Sequence, residues 1–190
     1  YMGIEWAAND PIGIQLREYL NTNVIPANGK LGDRKIKEGS GIGIKPVSKI
    51  GSQRHIRKAI EHALRLEGKK KHLTLVHKGN IMKFTEGAFR DWGYELATSE
   101  FRQTCITERE SWILENIYKN PEITIENNAK LIDPGFSALT NEKQQLICNE
   151  IKTVVDSIYQ SHGEGKWTEM VMIDDRIADS IFQQIQTRPQ

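Results

Sequence analysis

The residues best suited to chemistry stand at the ends of short apolar runs. Leu75-Val76-His77-Lys78-Gly79-Asn80 puts a lysine just past an apolar stretch. Losing hydration at a strand mouth lowers a lysine's pKa toward the range of a general base. Gly79 would let the backbone approach a ligand closely, and Asn80 offers both a donor and an acceptor. The same lysine also reads as a side chain snorkelling from a strand end to water. Asp174-Asp175-Arg176-Ile177-Ala178-Asp179 is the second candidate. With Asp175 as a helix cap, Asp179 falls about one turn into the helix. Carboxylates grouped there suit a hard cation such as Mg²⁺ or Mn²⁺, although capping and dipole compensation account for them too. Gln183, Gln184 and Arg188 continue along that helix, where they read as a solvated polar face.

Several other chemistries find no support. The glycines at 39, 41 and 43 fail the GxGxxG pattern, because position 46 is proline, and Gly163-Glu164-Gly165-Lys166 lacks the spacing and following Ser/Thr of a P-loop. The five histidines show no HExxH spacing, and no Gly-x-Ser-x-Gly elbow occurs. Cys105 and Cys148 lie far apart and outside any CxxC pattern, as expected of free cytosolic thiols. A net charge of +1 gives no case for a nucleic-acid or anionic-membrane partner. Lys69-Lys70-Lys71 reads as a solvated helix terminus. No apolar stretch approaches the ~20 residues that cross a bilayer.

The elements that must position these residues alternate between strand and helix. Asp10-Pro11 starts a helix bearing Ile12, Leu16 and Leu20. Residues 21–40 read as an exposed arm, and Gly41 to Pro46 as an edge strand ended by proline. A helix after Ser48 or Ser52 carries Ile56, Ile60 and Ala63-Leu64, closed by Gly68. Leu73 to Val76 reads as a central strand, and Thr85 as the cap of a helix bearing Phe89, Trp92, Leu96 and Phe101. Three helical patterns follow within residues 104–165: Trp112 to Tyr118, Thr124 to Ile132 and Thr140 to Tyr159. Met170 to Ile173 predicts another strand, and Asp175 a last helix with Ile177, Ile181 and Ile185 inward. Strand–helix–strand–helix order implies α/β layers, with residues 104–165 as an all-helical block inserted between two elements of the sheet. The opening on Tyr1 and the stop at Gln190 are those expected of a segment cut from a longer protein.

Tyr1-Met2-Gly3-Ile4-Glu5-Trp6, Gly41 to Pro46, the run from Thr74 to Tyr94, and Ile177-Ala178-Asp179 through Gln183-Gln184 to Arg188-Pro189 resemble the bacterial dimeric NADP-dependent isocitrate dehydrogenases. The resemblance spans residues 1–6, about 41–101 and 170–189, and leaves most of 104–168 as an insert. It implies an α/β small domain with a clasp, divided as a dimerising clasp arm at 1–47, small-domain segments at 48–103 and 166–190, and a helical insertion at 104–165.

The resemblance also implies roles. Tyr1 is the catalytic acid, and Lys78 its partner in proton transfer. Asn80 contacts substrate, and Asp179 helps ligate Mg²⁺ or Mn²⁺. Gln183, Gln184 and Arg188 lie near NADP. The implied reaction is oxidative decarboxylation of isocitrate to 2-oxoglutarate in a cytoplasmic homodimer whose active sites are shared between subunits. The family's paired metal aspartates, substrate-binding serine-arginine segment and adenine loop have no counterpart in this sequence. Two alternatives remain open: a related β-decarboxylating 2-hydroxy-acid dehydrogenase, and a non-catalytic dimerisation or regulatory module derived from the enzyme.

Overall fold

The computed structural model describes residues 4–26, 29, 34–67 and 71–187. The chain divides into two compact units, Tyr1–Pro46 and Val47–Gln190. Tyr1, Gly68, Lys69, Lys70 and Arg188, to which the sequence assigns roles, lie outside the described residues.

In the first unit, strand β1 (Ile4–Trp6) precedes helix α1 (Pro11–Tyr19), and β1 pairs antiparallel with strand β2 (Ile42–Ile44) in the register Ile4↔Ile44. The α1 start follows the sequence cues. The Asp10 carboxylate accepts from Ile12 N at 2.8 Å and Gly13 N at 3.3 Å, and Pro11 opens the first turn, where no N–H is needed. The arm after α1 is tethered. Asn21 donates through Nδ2 to Ile36 O at 3.0 Å and accepts from Ile36 N at 2.8 Å, so one side chain pairs with both backbone polar groups of one residue.

The second unit opens with helix α2 (Lys49–Arg65), capped by Ser48 Oγ accepting from Gly51 N at 3.1 Å. The spacing of Ser52, Ile56, Ile60 and Ala63 buries one stripe of it. Strand β3 (His72–His77) leads through a turn and a π-helical turn at Lys83–Gly87 to helix α3 (Ala88–Ser99). Strand β4 (Cys105–Thr107), helices α4 (Glu108–Lys119), α5 (Ile125–Ile132) and α6 (Asn141–His162), strand β5 (Val171–Ile177) and helix α7 (Ala178–Thr187) complete it. The sheet runs β3-β5-β4 with all pairs parallel.

Side chains alternate across a strand, and the two buried clusters separate on that rule. Cys105, Val171, Ile173 and Leu75 join Ile56, Ile60 and Leu96 under α2 and α3. Ile106 and the half-buried Met172 point the other way, into a cluster with Ile113, Leu114, Ile151, Ile158 and Trp167 from α4, α6 and the loop before β5. Each fully buried aliphatic side chain contributes about 1.5–3 kcal/mol, so a helix layer stabilises each face. Gly93 lets α3 lie close to the sheet, since a Cβ there would fall 2.6 Å from a Leu75 methyl. Among the described residues no helix is long and apolar enough to cross a membrane.

Five expectations are corrected. β3 is an edge strand and β5 the central one. The stretch 104–165 is not all helical, because Cys105–Thr107 joins the sheet beside β5. Thr85 sits inside the π-helical turn, and α3 starts after Gly87 with no side-chain cap. Asp175 leads no helix; β5 continues to Ile177 because both aspartates find partners within the folded unit. Ile185 is 63% exposed, not inward.

Candidate active site

Parallel pairing of β3 with β5, in the register His77↔Ile177, brings the carboxyl ends of both strands to one edge of the sheet. Such edges carry the ligand crevice in open α/β sheets. Lys78 is the first residue past β3, and Asp179 lies in the first turn of α7, directly after β5. The Lys78 Nζ donates to Asp179 Oδ2 across this edge. The lysine side chain is 29% exposed and the aspartate 73%. The hydrogen bond from Lys78 holds the Asp179 carboxyl below the usual carboxylate range.

Beneath Lys78 lies a polar network centred on a buried histidine. His77 is 2% exposed; its Nδ1 accepts from Gly79 N at 2.9 Å, and its Nε2 lies 2.8 Å from Asp175 Oδ2. The Tyr94 hydroxyl donates to the other Asp175 oxygen at 2.7 Å. Burial, then the hydrogen bond to Asp175 and the charges of Asp175, Asp174 and Glu108, push the Tyr94 phenol well above its ordinary range. The Lys78 N–H donates to Glu86 Oε2 at 3.1 Å. Gly79 proves necessary for packing: a Cβ there would lie 2.8 Å from His77 Nδ1 and 2.9 Å from Gly87 Cα.

Asp174 points to the opposite face and is 1% exposed. Arg176 Nη2 lies 2.9 Å from its Oδ2, and the same guanidinium grips Glu108 at 2.7 and 3.1 Å. His72 Nε2 lies 3.0 Å from Asp174 Oδ1. Burial raises the Asp174 carboxyl, and His72, Thr74 and Arg176 more than offset this, leaving it below the usual range.

The three aspartates therefore do not form the carboxylate group that their spacing suggested. Asp174 is consumed by Arg176 and Asp175 by His77 and Tyr94, which leaves Asp179 facing outward. Among the described residues no three His, Cys, Asp or Glu side chains converge as a metal site. Asp179 fits a hard divalent cation as one oxygen ligand of several.

Of the residues named from sequence, Lys78 and Asp179 are brought together. Asn80 is exposed on the turn after β3, and Gln183 is exposed on α7. Gln184 is half-buried and donates to Ser180 Oγ at 3.0 Å. His77, Glu86 and Tyr94 were not anticipated, and Asp175, read from sequence as a helix cap beside a cation site, instead partners His77 and Tyr94. The one signal for them was a histidine in an apolar run directly before the lysine.

The family profile described as isocitrate/isopropylmalate dehydrogenase matches residues 1–190. The chain is 64% identical over 189 residues to the NADP isocitrate dehydrogenase of a Nostoc species, covering 100% of this chain and 40% of that protein. It is 61% identical to that of a Synechocystis species with the same coverage. To that of Archaeoglobus fulgidus it is 37% identical, covering 99% of this chain and 32% of that protein. The chain thus spans about two fifths of the length of the two cyanobacterial relatives. A match along all 190 residues settles the relationship: the chain belongs to the isocitrate/isopropylmalate dehydrogenase family.

Proposed function

We propose that this chain is a segment of an NADP-dependent isocitrate dehydrogenase, comprising clasp and small domain, which converts isocitrate to 2-oxoglutarate and CO₂ in a cytoplasmic homodimer. The observation that carries this reading is the Lys78–Asp179 pair at the carboxyl edge of the β3–β5 ladder. An amine and an outward carboxylate stand together where a small charged substrate can reach both.

In this reading Lys78 accepts the proton of the C2 hydroxyl, and NADP⁺, when bound, would supply the acceptor for the C2 hydride. Carbon dioxide then leaves the resulting β-keto acid, and Tyr1 delivers a proton to the carbon it leaves. Asn80 holds the substrate, while Gln183, Gln184 and Arg188 face the coenzyme. Asp179 is this chain's ligand to Mg²⁺ or Mn²⁺, which when bound supplies Lewis acidity toward the substrate oxygens. The remaining ligands come from parts of the longer protein outside this chain, and the lysine and aspartate serve a site completed by the second subunit.

The test uses the full-length protein. It should reduce NADP⁺ with isocitrate in the presence of Mg²⁺ or Mn²⁺, followed by the absorbance of the reduced nicotinamide. Lys78→Met should lower kcat by about 10²-fold or more, as expected for loss of a general acid–base group, with the dimer unchanged in gel filtration. Parent-like turnover in that variant would defeat the assignment.

A further inference from the structure

The peptide groups around Lys78 are held more completely than its side chain. Lys78 N donates to Glu86 Oε2 at 3.1 Å, and Lys78 O accepts from Ile81 N at 3.1 Å and Met82 N at 3.0 Å. The next amide, Gly79 N, donates to His77 Nδ1 at 2.9 Å. A backbone N–H can only donate, so Nδ1 must present its lone pair and the ring proton resides on Nε2. That N–H then points at Asp175 Oδ2, 2.8 Å away. The second oxygen of Asp175 is taken by the half-buried Tyr94 hydroxyl, whose pKa is pushed up and which stays protonated. The ring therefore has one tautomer and one orientation, set from below by α3 and β5. An apolar residue would fit a position flanked by Leu73 and Leu75 on the same face at lower desolvation cost. A histidine there supplies what an apolar side chain lacks, an acceptor aimed at Gly79 N–H.

We infer that His77, locked by Asp175 and Tyr94, is a positioning residue for Lys78, fixing the Lys78–Gly79 peptide and thereby the direction in which the lysine leaves the strand toward Asp179. Its reach is indirect: the ring is buried and touches neither solvent nor the lysine amine. The inference rests on the proposed role of Lys78 for its catalytic consequence, but its geometric content stands apart from that role.

The experiment compares three variants of the full-length dimer. His77→Asn keeps an acceptor near the Nδ1 position. His77→Gln keeps a donor toward Asp175 and loses that acceptor. Tyr94→Phe removes the hydroxyl that orients Asp175. With isocitrate and NADP⁺, His77→Gln should lose about 10²-fold in kcat, the effect of misplacing a reacting group by about 1 Å. KM should change little, because ground-state binding is untouched. His77→Asn should recover most of the loss, and Tyr94→Phe should lower kcat in the same direction by less.

A second readout does not depend on activity. In selectively ¹⁵N-lysine-labelled protein, the Lys78 Nζ signal, assigned by its absence in Lys78→Met, should shift in His77→Gln and return in His77→Asn. A parent that is inactive with isocitrate would overturn the proposed function and leave this signal to decide the inference. A His77→Gln protein with parental kcat, or with an unmoved Lys78 signal, would overturn the inference. So would equal impairment of the Asn and Gln variants, or failure of all three variants to form the dimer, since the network would then serve stability alone.

Discussion

Replacing Gly79 by alanine tests how tightly the turn beneath Lys78 is built. The added Cβ would lie 2.8 Å from His77 Nδ1, 2.9 Å from Gly87 Cα and 3.1 Å from Gly87 N. Two of these three atoms are backbone, and Gly87 N is itself held by Met82 O at 3.0 Å, so the turn cannot recede freely. Gly79 does not adopt a positive φ, so the effect is steric. Overpacking of this kind costs about 1–3 kcal/mol. Displacing the His77 ring would also strip Gly79 N–H of its acceptor, a further ~1–3 kcal/mol for a buried unsatisfied group. The expected sum is about 2–6 kcal/mol. Gly29→Ala is the control, because among the described residues nothing lies within 4 Å of its Cβ position. It should stay within about 0.5 kcal/mol of the parent. Urea unfolding of the full-length protein, followed by tryptophan fluorescence, measures both. If Gly79→Ala unfolds at the midpoint of the parent, the close approach of Gly79 to Gly87 and His77 is not the constraint argued here.

Three other expectations follow from side chains away from the site. Burial pushes the Glu110 carboxyl up, but the hydrogen bonds and charge of Arg102 and the bonds from Thr107 more than offset it, so its pKa falls below 4.5. A depressed folded-state pKa stabilises above the unfolded value and loses that contribution as pH falls through the folded one. Glu110→Gln should therefore narrow the gap to the parent as pH drops below 4.5, read as urea midpoints against pH. Asn128→Ala should cost about 2–4 kcal/mol; urea titration reads this, because Asn128 is 1% exposed, donates to Ile113 O at 3.1 Å and accepts from Asn116 at 2.9 Å. Asn21→Ala should remove the protection of the Ile36 amide from hydrogen exchange, since the Asn21 carbonyl is its acceptor at 2.8 Å.

The helix starts were legible where a local rule decides them. Asp10-Pro11 and Ser48 capped helices as their types suggest, and the spacing of Ile56 and Ile60 marked the inner stripe of α2. Lys78 stood out because a charge follows an apolar run. What could not be read was partnership. Lys78 and Asp179 are 101 positions apart, and only the parallel register of β3 with β5 joins them. The acidic pair Asp174-Asp175 misled because acids before Ile-Ala-Asp look like a helix start, whereas Arg176, His77 and Tyr94 supply partners that keep them in a strand. β4 escaped because three residues show too little alternation to announce a strand, and Gly93 because a glycine's packing role depends on the Leu75 and Ile56 methyls that face it.

The alternation of β5 makes it intolerant of length change. Sliding that strand by one position would turn Asp174 toward the Tyr94 side and Asp175 toward Arg176, exchanging two separate sets of partners at once. The exposed turn at residues 119–122 can gain or lose residues without touching that arrangement, whereas a single deletion within Val171–Ile177 would scramble both faces of the sheet together. Variation among natural or engineered versions of this segment should accordingly accumulate in the first region and be purged from the second.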